Sequence, residues 1–460
     1  MHFFHYRDGR LYCEDVDLAR VAEKFDTPLY VYSAGTIVDH YTRLNAALAP
    51  LDHLICYAVK ANSNRAILKL LSDAGAGFDI VSGGELYRVL AAGGDPARCT
   101  FAGVGKSRQE IEYALDQRVY SFNVESEAEL EYIDRIAGTK HSRAPVAMRV
   151  NPDIDPRTHE YISTGSRENK FGIALDRIPA AYERAAAMRN IDVVGVQMHI
   201  GSQITDAAPF AEAIKKVAPI VRDLKSRYPI QFFSIGGGLG IIYESSFESG
   251  AREWWDESVG RDRRARRGKI EDRDSSRSTS TRPLSIQQYV DGILPPSREL
   301  KLRILLEPGR LLVGNAGVLL TRVRYIKQTG QKKFAIVDAG MNDLIRPALY
   351  HSYHEIVPCK ASSAADAGQG KNKNPTEKID IVGPVCESGD FFALDREMPE
   401  LHEGDLLAIM SAGAYGFVMA SNYNSRPLPA EALVRGDRFA LIRKRQTWQD
   451  LMRDEVEASW

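Results

Sequence analysis

The sequence has no pair of cysteines at CxxC spacing. Its five cysteines, Cys13, Cys56, Cys99, Cys359 and Cys386, stand far apart along 460 residues. An odd, unclustered set reads as reduced thiols, the state expected of a cytoplasmic protein. There is no uninterrupted apolar run of about 18 residues, so no membrane span is expected. The opening residues, MHFFHYRDGRLYCED, lack a basic stretch followed by an apolar one, so no secretory signal is expected either. Charge of neither sign dominates. The formal net charge is -1, and neither nucleic acid nor an anionic membrane is an expected partner. No second histidine stands at metal-ligand spacing from His199, which argues against a metal site. What is plentiful is apolar side chain, 44% of the chain. That is enough for real cores, and the length fits two domains, one of them a large barrel.

The middle of the chain alternates short apolar runs with amphipathic segments, the rhythm of parallel β/α units. Strands are predicted at 54–59, 77–81, 99–102, 120–124, 146–150, 193–199, 232–235 and 302–306. Helical periodicity falls between most of them, at 64–74, 84–92, 107–117, 126–136 and 207–226. Eight units over roughly 250 residues match a closed (β/α)8 TIM barrel. Seven of the runs end in reactive or tight-turning residues. These endings are Lys60-Ala-Asn62, Ser82-Gly83-Gly84-Glu85, Gly103-Val-Gly105-Lys106, Asn151-Pro152, His199-Ile-Gly201-Ser202, Gly236-Gly237-Gly238 and Glu307-Pro308-Gly309-Arg310. In such a barrel the C-terminal rim carries the active site, so the endings are expected to converge there.

After Arg310 the rhythm changes to strands without long helices, at 318–327, 334–337, 379–382, 405–410 and 438–443. The expected organisation is α/β. A barrel at 33–308 joins a mainly-β barrel or sandwich domain built from 1–32 and 309–460. Two stretches read as solvated additions because they hold little apolar surface. One is a polar insertion at about 251–282 and the other a flexible loop at about 360–378. The run RDRRARRGK inside the first is the alternative candidate for anion contact, weakened by its interleaved acids and its lack of aromatics.

Single residues leave two readings open. Lys60, closing YAVKAN, is either a surface lysine or an amine desolvated in a barrel mouth, and desolvation makes an amine fit for a Schiff base. Ser234-Ile-Gly236-Gly237-Gly238-Leu-Gly240 is either a tight turn or a phosphate cradle; phosphate sites in these barrels gather after strands seven and eight. Glu307 is either half of a structural ion pair or the partner of a pyridine nitrogen. Arg310 suits a phosphate or a carboxylate. His199 and Cys386, taken alone, read as well as packed core residues as they do catalysts.

Together the blocks YAVKAN, FDIVSGGEL, HEYISTGSRENKFGI, VQMHIGSQI, IGGGLG, LEPGRLLVGNAG, DAGMNDLIRPALY, GPVCESGDFF and SAGAYGFVMASNYNSRP resemble the fold-type III pyridoxal-phosphate-dependent decarboxylases. The resemblance is strongest to the branch acting on diaminopimelate and runs from about Thr27 to about Ser425. The two polar stretches are longer than is usual in that family. The resemblance implies an alanine-racemase-like barrel with a β domain, assembled as a homodimer whose active sites are shared across the interface. It implies pyridoxal 5'-phosphate as cofactor, carried on Lys60. His199 would stack on its ring, and Gly236, Gly237 and Gly238, helped by Ser202, would bind its phosphate. Glu307 would face its nitrogen, Gly309 and Arg310 would lie by phosphate and substrate, and Tyr415 would touch both cofactor and substrate. Arg346 and Tyr350 would hold substrate carboxylate. Cys386 and Glu387 would enter from the neighbouring subunit, Cys386 as proton donor.

The implied reaction is decarboxylation of meso-2,6-diaminopimelate to L-lysine. Arg310 and Arg346 suit the distal carboxylate of that substrate, and Glu387 its distal ammonium. A sister decarboxylase for ornithine, arginine or carboxynorspermidine is expected to lack the Arg346–Tyr350 block. A non-catalytic partner-binding homologue is expected to have lost Lys60 or Cys386. A racemase is expected to carry a tyrosine base in place of the CESGD block.

Overall fold

Serines and an asparagine at the strand ends start the helices of the barrel. Asn64 accepts the amide of Ala66 and opens Arg65–Asp73. Ser82 does the same for Gly83–Ala91 and Ser126 for Glu127–Thr139. Ser107 forms a reciprocal capping box with Glu110 at the head of Arg108–Gln117, and Ser285 forms one with Gln288 at the head of Ile286–Arg298. Each cap satisfies amide donors that a helix N-terminus leaves without partners. Ile178–Ala187 and Ala208–Arg227 complete the set, both with a proline in the first turn, where no amide is needed. Periodicity had not singled out Ile178–Ala187 or Ile286–Arg298.

The structure, a computed structural model, describes residues 2–154, 170–250, 284–361 and 376–460. The insertion expected at 251–282, most of the loop expected at 360–378, and the HEYISTGSRENKFGI block apart from its closing KFGI lie outside the described residues. Among the described residues, no helix is long and apolar enough to cross a membrane.

The described residues fall into two units. One runs from Val38 to Ile241 and resumes at 284–312. Its strands are His53–Ala58, Gly77–Ile80, Cys99–Phe101, Ser121–Val124, Ala144–Asn151, Ile191–Met198, Phe232–Ser234 and Arg303–Leu306. Each pairs in parallel with the next, and the eighth pairs with the first, so the sheet closes. This is the expected (β/α)8 barrel. A two-residue strand, Ile173–Ala174, is added beside the fifth.

Period-two alternation stacks the interior in layers. Leu54, Cys56, Ala147, Phe232 and Leu305 form a buried apolar plug. Gly195 makes room for it, since a Cβ there would come within 2.3 Å of the Phe232 ring. Two residues further along the same strands stand Gln197, Ser234 and Glu307. They join the apolar floor to a polar layer above it, toward the C-terminal rim.

The other unit comprises 2–37, 242–250 and the described residues from Val313 onward. Its main sheet runs Phe391–Pro399, Thr376–Val382, Lys332–Val337, Gly317–Thr329, Leu29–Ser33, Ala430–Arg435, Arg438–Arg443. Leu406–Ile409 pairs with the long Gly317–Thr329 strand and with Ile356–Pro358. Alternate residues of neighbouring strands, among them Leu29, Val31, Val318, Leu320, Ala430, Ala432 and Val434, share one apolar core with Leu11 and Val16 of the N-terminal hairpin. The mainly-β unit agrees with the reading from strand rhythm.

Gly195→Ala tests the barrel interior. Phe232 is fully buried and has nowhere to move, so overpacking is expected to cost about 1–3 kcal/mol. The measurement is the thermal midpoint of the variant, expected several degrees below the parent; an unchanged midpoint would count against the plug described above.

Candidate active site

The first barrel strand ends in a single 3-10 turn, Val59–Ala61, which carries Lys60. The turn is fixed locally. The Tyr57 hydroxyl donates to the Asn62 carbonyl at 2.9 Å, and Asn62 Oδ1 accepts the Asn64 amide at 3.0 Å. Gly309 packs the end of the eighth strand against it, because a Cβ at Gly309 would meet the Ala61 Cβ at 2.9 Å. Lys60 Nζ donates to Asp79 Oδ2 at 2.8 Å; the lysine side chain is 41% exposed and the aspartate 0%. Asp79 Oδ1 has no hydrogen-bond partner among the described residues.

Glu307 sits deeper in the same barrel. Ser234 Oγ donates to its Oε1 at 2.7 Å, Gln197 Nε2 to its Oε2 at 3.0 Å, and Asn123 Nδ2 approaches Oε1 at 3.4 Å. Burial, and then the charge of Asp79, push the Glu307 carboxyl up to about 7, against the pull of Ser234, Lys60 and Gln197. Glu85, whose Oε2 accepts the Val81 amide at 2.7 Å, is likewise raised by burial to about 7.

At the end of the sixth strand, His199 Nδ1 accepts the Gly237 amide at 3.2 Å. Burial, with Arg149 and Lys60 nearby, holds its pKa well below the usual value, so the ring is neutral and Nε2 carries its proton. Gly236 and Gly238 have φ of +72° and +109°. A Cβ at Gly236, Gly237 or Gly238 would come within 2.6, 2.2 or 2.4 Å of the backbone oxygens of Met198, Glu307 or Gly201. Only glycine lets this loop lie so close to its neighbours. Arg310 Nη2 donates to Ser202 Oγ at 3.1 Å beside it. The barrel thus gathers Lys60, His199, Ser202, Gly236, Gly237, Gly238, Glu307, Gly309 and Arg310 at its C-terminal end.

The remaining residues lie in the β unit. Arg346 opens the short helix Arg346–Tyr350 and is buried, with its guanidinium 5.6 Å from the Tyr350 ring centre. Cys386 is exposed, and its amide donates to Asn424 Oδ1 at 3.1 Å. Glu387 Oε2 accepts the Tyr423 hydroxyl at 2.9 Å. Tyr415 holds a left-handed backbone, with φ +54°.

Sequence reasoning passed over Asp79, Asn123, Gln197 and Ser234 as functional residues. The signal was available. Counting by twos from Gly195 gives Gln197 and then His199, and counting from Phe232 gives Ser234 and then Gly236. An aspartate inside a fully buried strand, Gly77–Ile80, demands a cation.

The barrel's chemistry can be matched to a prosthetic group. It offers an amine on a carboxylate, a buried carboxyl with convergent donors, a neutral imidazole, and a glycine loop beside an arginine. A group with an aldehyde, a basic ring nitrogen and a phosphate meets every one of these. Residues 34–314 match the family described as pyridoxal-dependent decarboxylase, pyridoxal binding domain. The chain belongs to the pyridoxal-dependent decarboxylases. Diaminopimelate decarboxylase of Pseudomonas aeruginosa is 47% identical over 99% of each chain. The structure of diaminopimelate decarboxylase from Helicobacter pylori complexed with L-lysine superposes with TM-score 0.82 at 38% identity, covering 95% of this chain and 98% of that one. The enzyme from M. jannaschii gives TM-score 0.85 at 36% identity, covering 99% and 98%. Within its class, the chain belongs to the diaminopimelate decarboxylase family.

The raised Glu307 carboxyl fixes a sign. Folded, it keeps its proton up to about 7; unfolded, it releases it near its ordinary 4.5. Its contribution to stability is therefore present at low pH and lost as pH rises through about 7. In cofactor-free protein, raising the pH from 5 to 8 is expected to lower the thermal midpoint more in the parent than in Glu307→Gln. Equal slopes in the two proteins would refute the assignment.

Proposed function

We propose that this chain decarboxylates meso-2,6-diaminopimelate to L-lysine and carbon dioxide, with pyridoxal 5'-phosphate on Lys60. The observation that carries the reading is the Lys60–Asp79 pair at 2.8 Å in the same barrel interior as the buried Glu307. The domain holding the cofactor is assigned to 33–308, and the β domain to 1–32 and 309–460.

Pyridoxal phosphate, when bound, supplies a sink for the electron pair left behind as carbon dioxide departs. The chain's own residues do the rest. Glu307 holds a proton at the ring nitrogen, where the pairing of opposite charges relieves the burial that raises its pKa. His199, neutral, would pack against the ring. Gly236, Gly237 and Gly238, with Ser202, Gly309 and Arg310, hold the phosphate. Asp79 would hold Lys60 as an ammonium whenever the lysine is not carrying the cofactor, and so keep it within reach. Cys386 gives a proton to the substrate carbon that has lost its carboxylate.

Substrate choice rests on the distal end. Arg346 and Arg310 hold the distal carboxylate and Glu387 the distal ammonium, while Tyr350 and Tyr415 line the path. A sister enzyme for a simple diamine precursor has no use for a buried Arg346. The working form is a cytoplasmic homodimer in which Cys386 and Glu387 serve the partner's site.

Purified protein with cofactor, offered meso-diaminopimelate, ornithine and arginine, is expected to release carbon dioxide from the first alone. Lys60→Ala is expected to lose both the visible absorbance of the lysine-bound cofactor and about a thousandfold or more of the rate. Turnover of ornithine in preference to diaminopimelate would overturn the substrate assignment, and a Lys60→Ala protein that kept its absorbance would overturn the site.

A further inference from the structure

Arg346 is only 6% exposed and stands at the first position of its helix, where the helix dipole disfavours a cation. Its guanidinium lies over two aromatic rings. The Tyr243 ring centre is 5.2 Å away and that of Tyr350 5.6 Å. Nη2 also donates to Ser352 Oγ at 3.2 Å. Tyr243 is itself braced. The His354 ring meets it edge-on, with centres 5.1 Å apart and planes at 76°, and His354 Nδ1 is fixed at 2.8 Å from the Met410 carbonyl oxygen. Both His354 and Met410 are buried.

A guanidinium recognises a carboxylate through two parallel N–H bonds, so the orientation of its plane decides the match. Aromatic faces attract the cation without occupying its N–H donors, and so can orient the plane while leaving donors for a ligand. We propose that Tyr243, braced by His354, is a positioning residue for Arg346 and thereby sets the affinity of the chain for ligands that carry the distal carboxylate. This rests on the reading that Arg346 holds that carboxylate. Tyr243 follows the glycine loop in GGGLGIIY and was not among the residues expected to bind substrate.

The test uses the holoenzyme and two competitive inhibitors. L-lysine keeps the distal carboxylate, whereas 1,5-diaminopentane keeps both amines and has no carboxylate. Tyr243→Leu is expected to raise KM for diaminopimelate and Ki for L-lysine together by about tenfold, the size of a desolvated cation–π contact. The Ki of 1,5-diaminopentane and kcat should change less than about twofold. Tyr243→Phe, which keeps the ring, should restore both carboxylate-dependent values. Should Tyr243→Leu fail to fold, Tyr243→Met makes the same cut at closer volume. The lysine-to-diamine Ki ratio is read within one protein, so a partly inactive preparation does not distort it. An unchanged ratio, or a Tyr243→Phe protein as impaired as Tyr243→Leu, overturns the proposal while the wild type still turns over diaminopimelate. A wild type that neither turns over diaminopimelate nor binds lysine overturns the reading beneath it, and this proposal with it.

Discussion

The barrel interior has to keep two carboxyl groups out of water, and the rest of the site follows from how it does so. An isolated buried carboxylate is costly, so each needs a partner. Asp79 takes the ammonium of Lys60. Glu307 takes hydrogen bonds from Ser234 and Gln197 and is left with a raised pKa, because those donors do not offset burial and the charge of Asp79. The two solutions differ in a useful way. The first keeps an amine charged and in place. The second leaves an acid whose burial is relieved by a basic nitrogen brought to it. The site is thus built to gain from its cofactor.

Much of this was legible in the sequence because a barrel is periodic. Eight apolar runs with polar endings gave the architecture, and the endings gave Lys60, His199, the three glycines, Glu307 and Arg310. The hidden part was of two kinds. Asp79, Gln197 and Ser234 lie inside strands, where a single polar residue looks like an interruption of an apolar run. Their meaning comes from stacking across strands far apart in sequence, as when Gln197 and Ser234 meet on Glu307 over separations of 110 and 73 residues. Two strands of the β unit were hidden for another reason. Leu29–Ser33 and Ala430–Arg435 are short and pair with each other in parallel from opposite ends of the chain, so no local rhythm announces either.

Two lysines follow barrel strands, Lys60 the first and Lys106 the third, and the sequence alone does not say which one is reactive. Lys106 follows Gly103-Val-Gly105, a setting no less suggestive than that of Lys60. The structure separates them by burial. Lys106 Nζ donates to the carbonyls of Gly103 and Asn123 at 2.8 and 2.9 Å and to Glu129 at 2.7 Å, and its side chain is 1% exposed. An ammonium with three donors and three acceptors at hydrogen-bond distance leaves no room for a carbonyl carbon. It joins the loop after the third strand to the fourth strand and the helix beyond. Lys60 reaches solvent and holds an aspartate whose second oxygen has no hydrogen-bond partner among the described residues. The better exposed amine is the one a carbonyl carbon can reach, and that difference in burial favours Lys60 over Lys106 as the amine proposed to carry the cofactor.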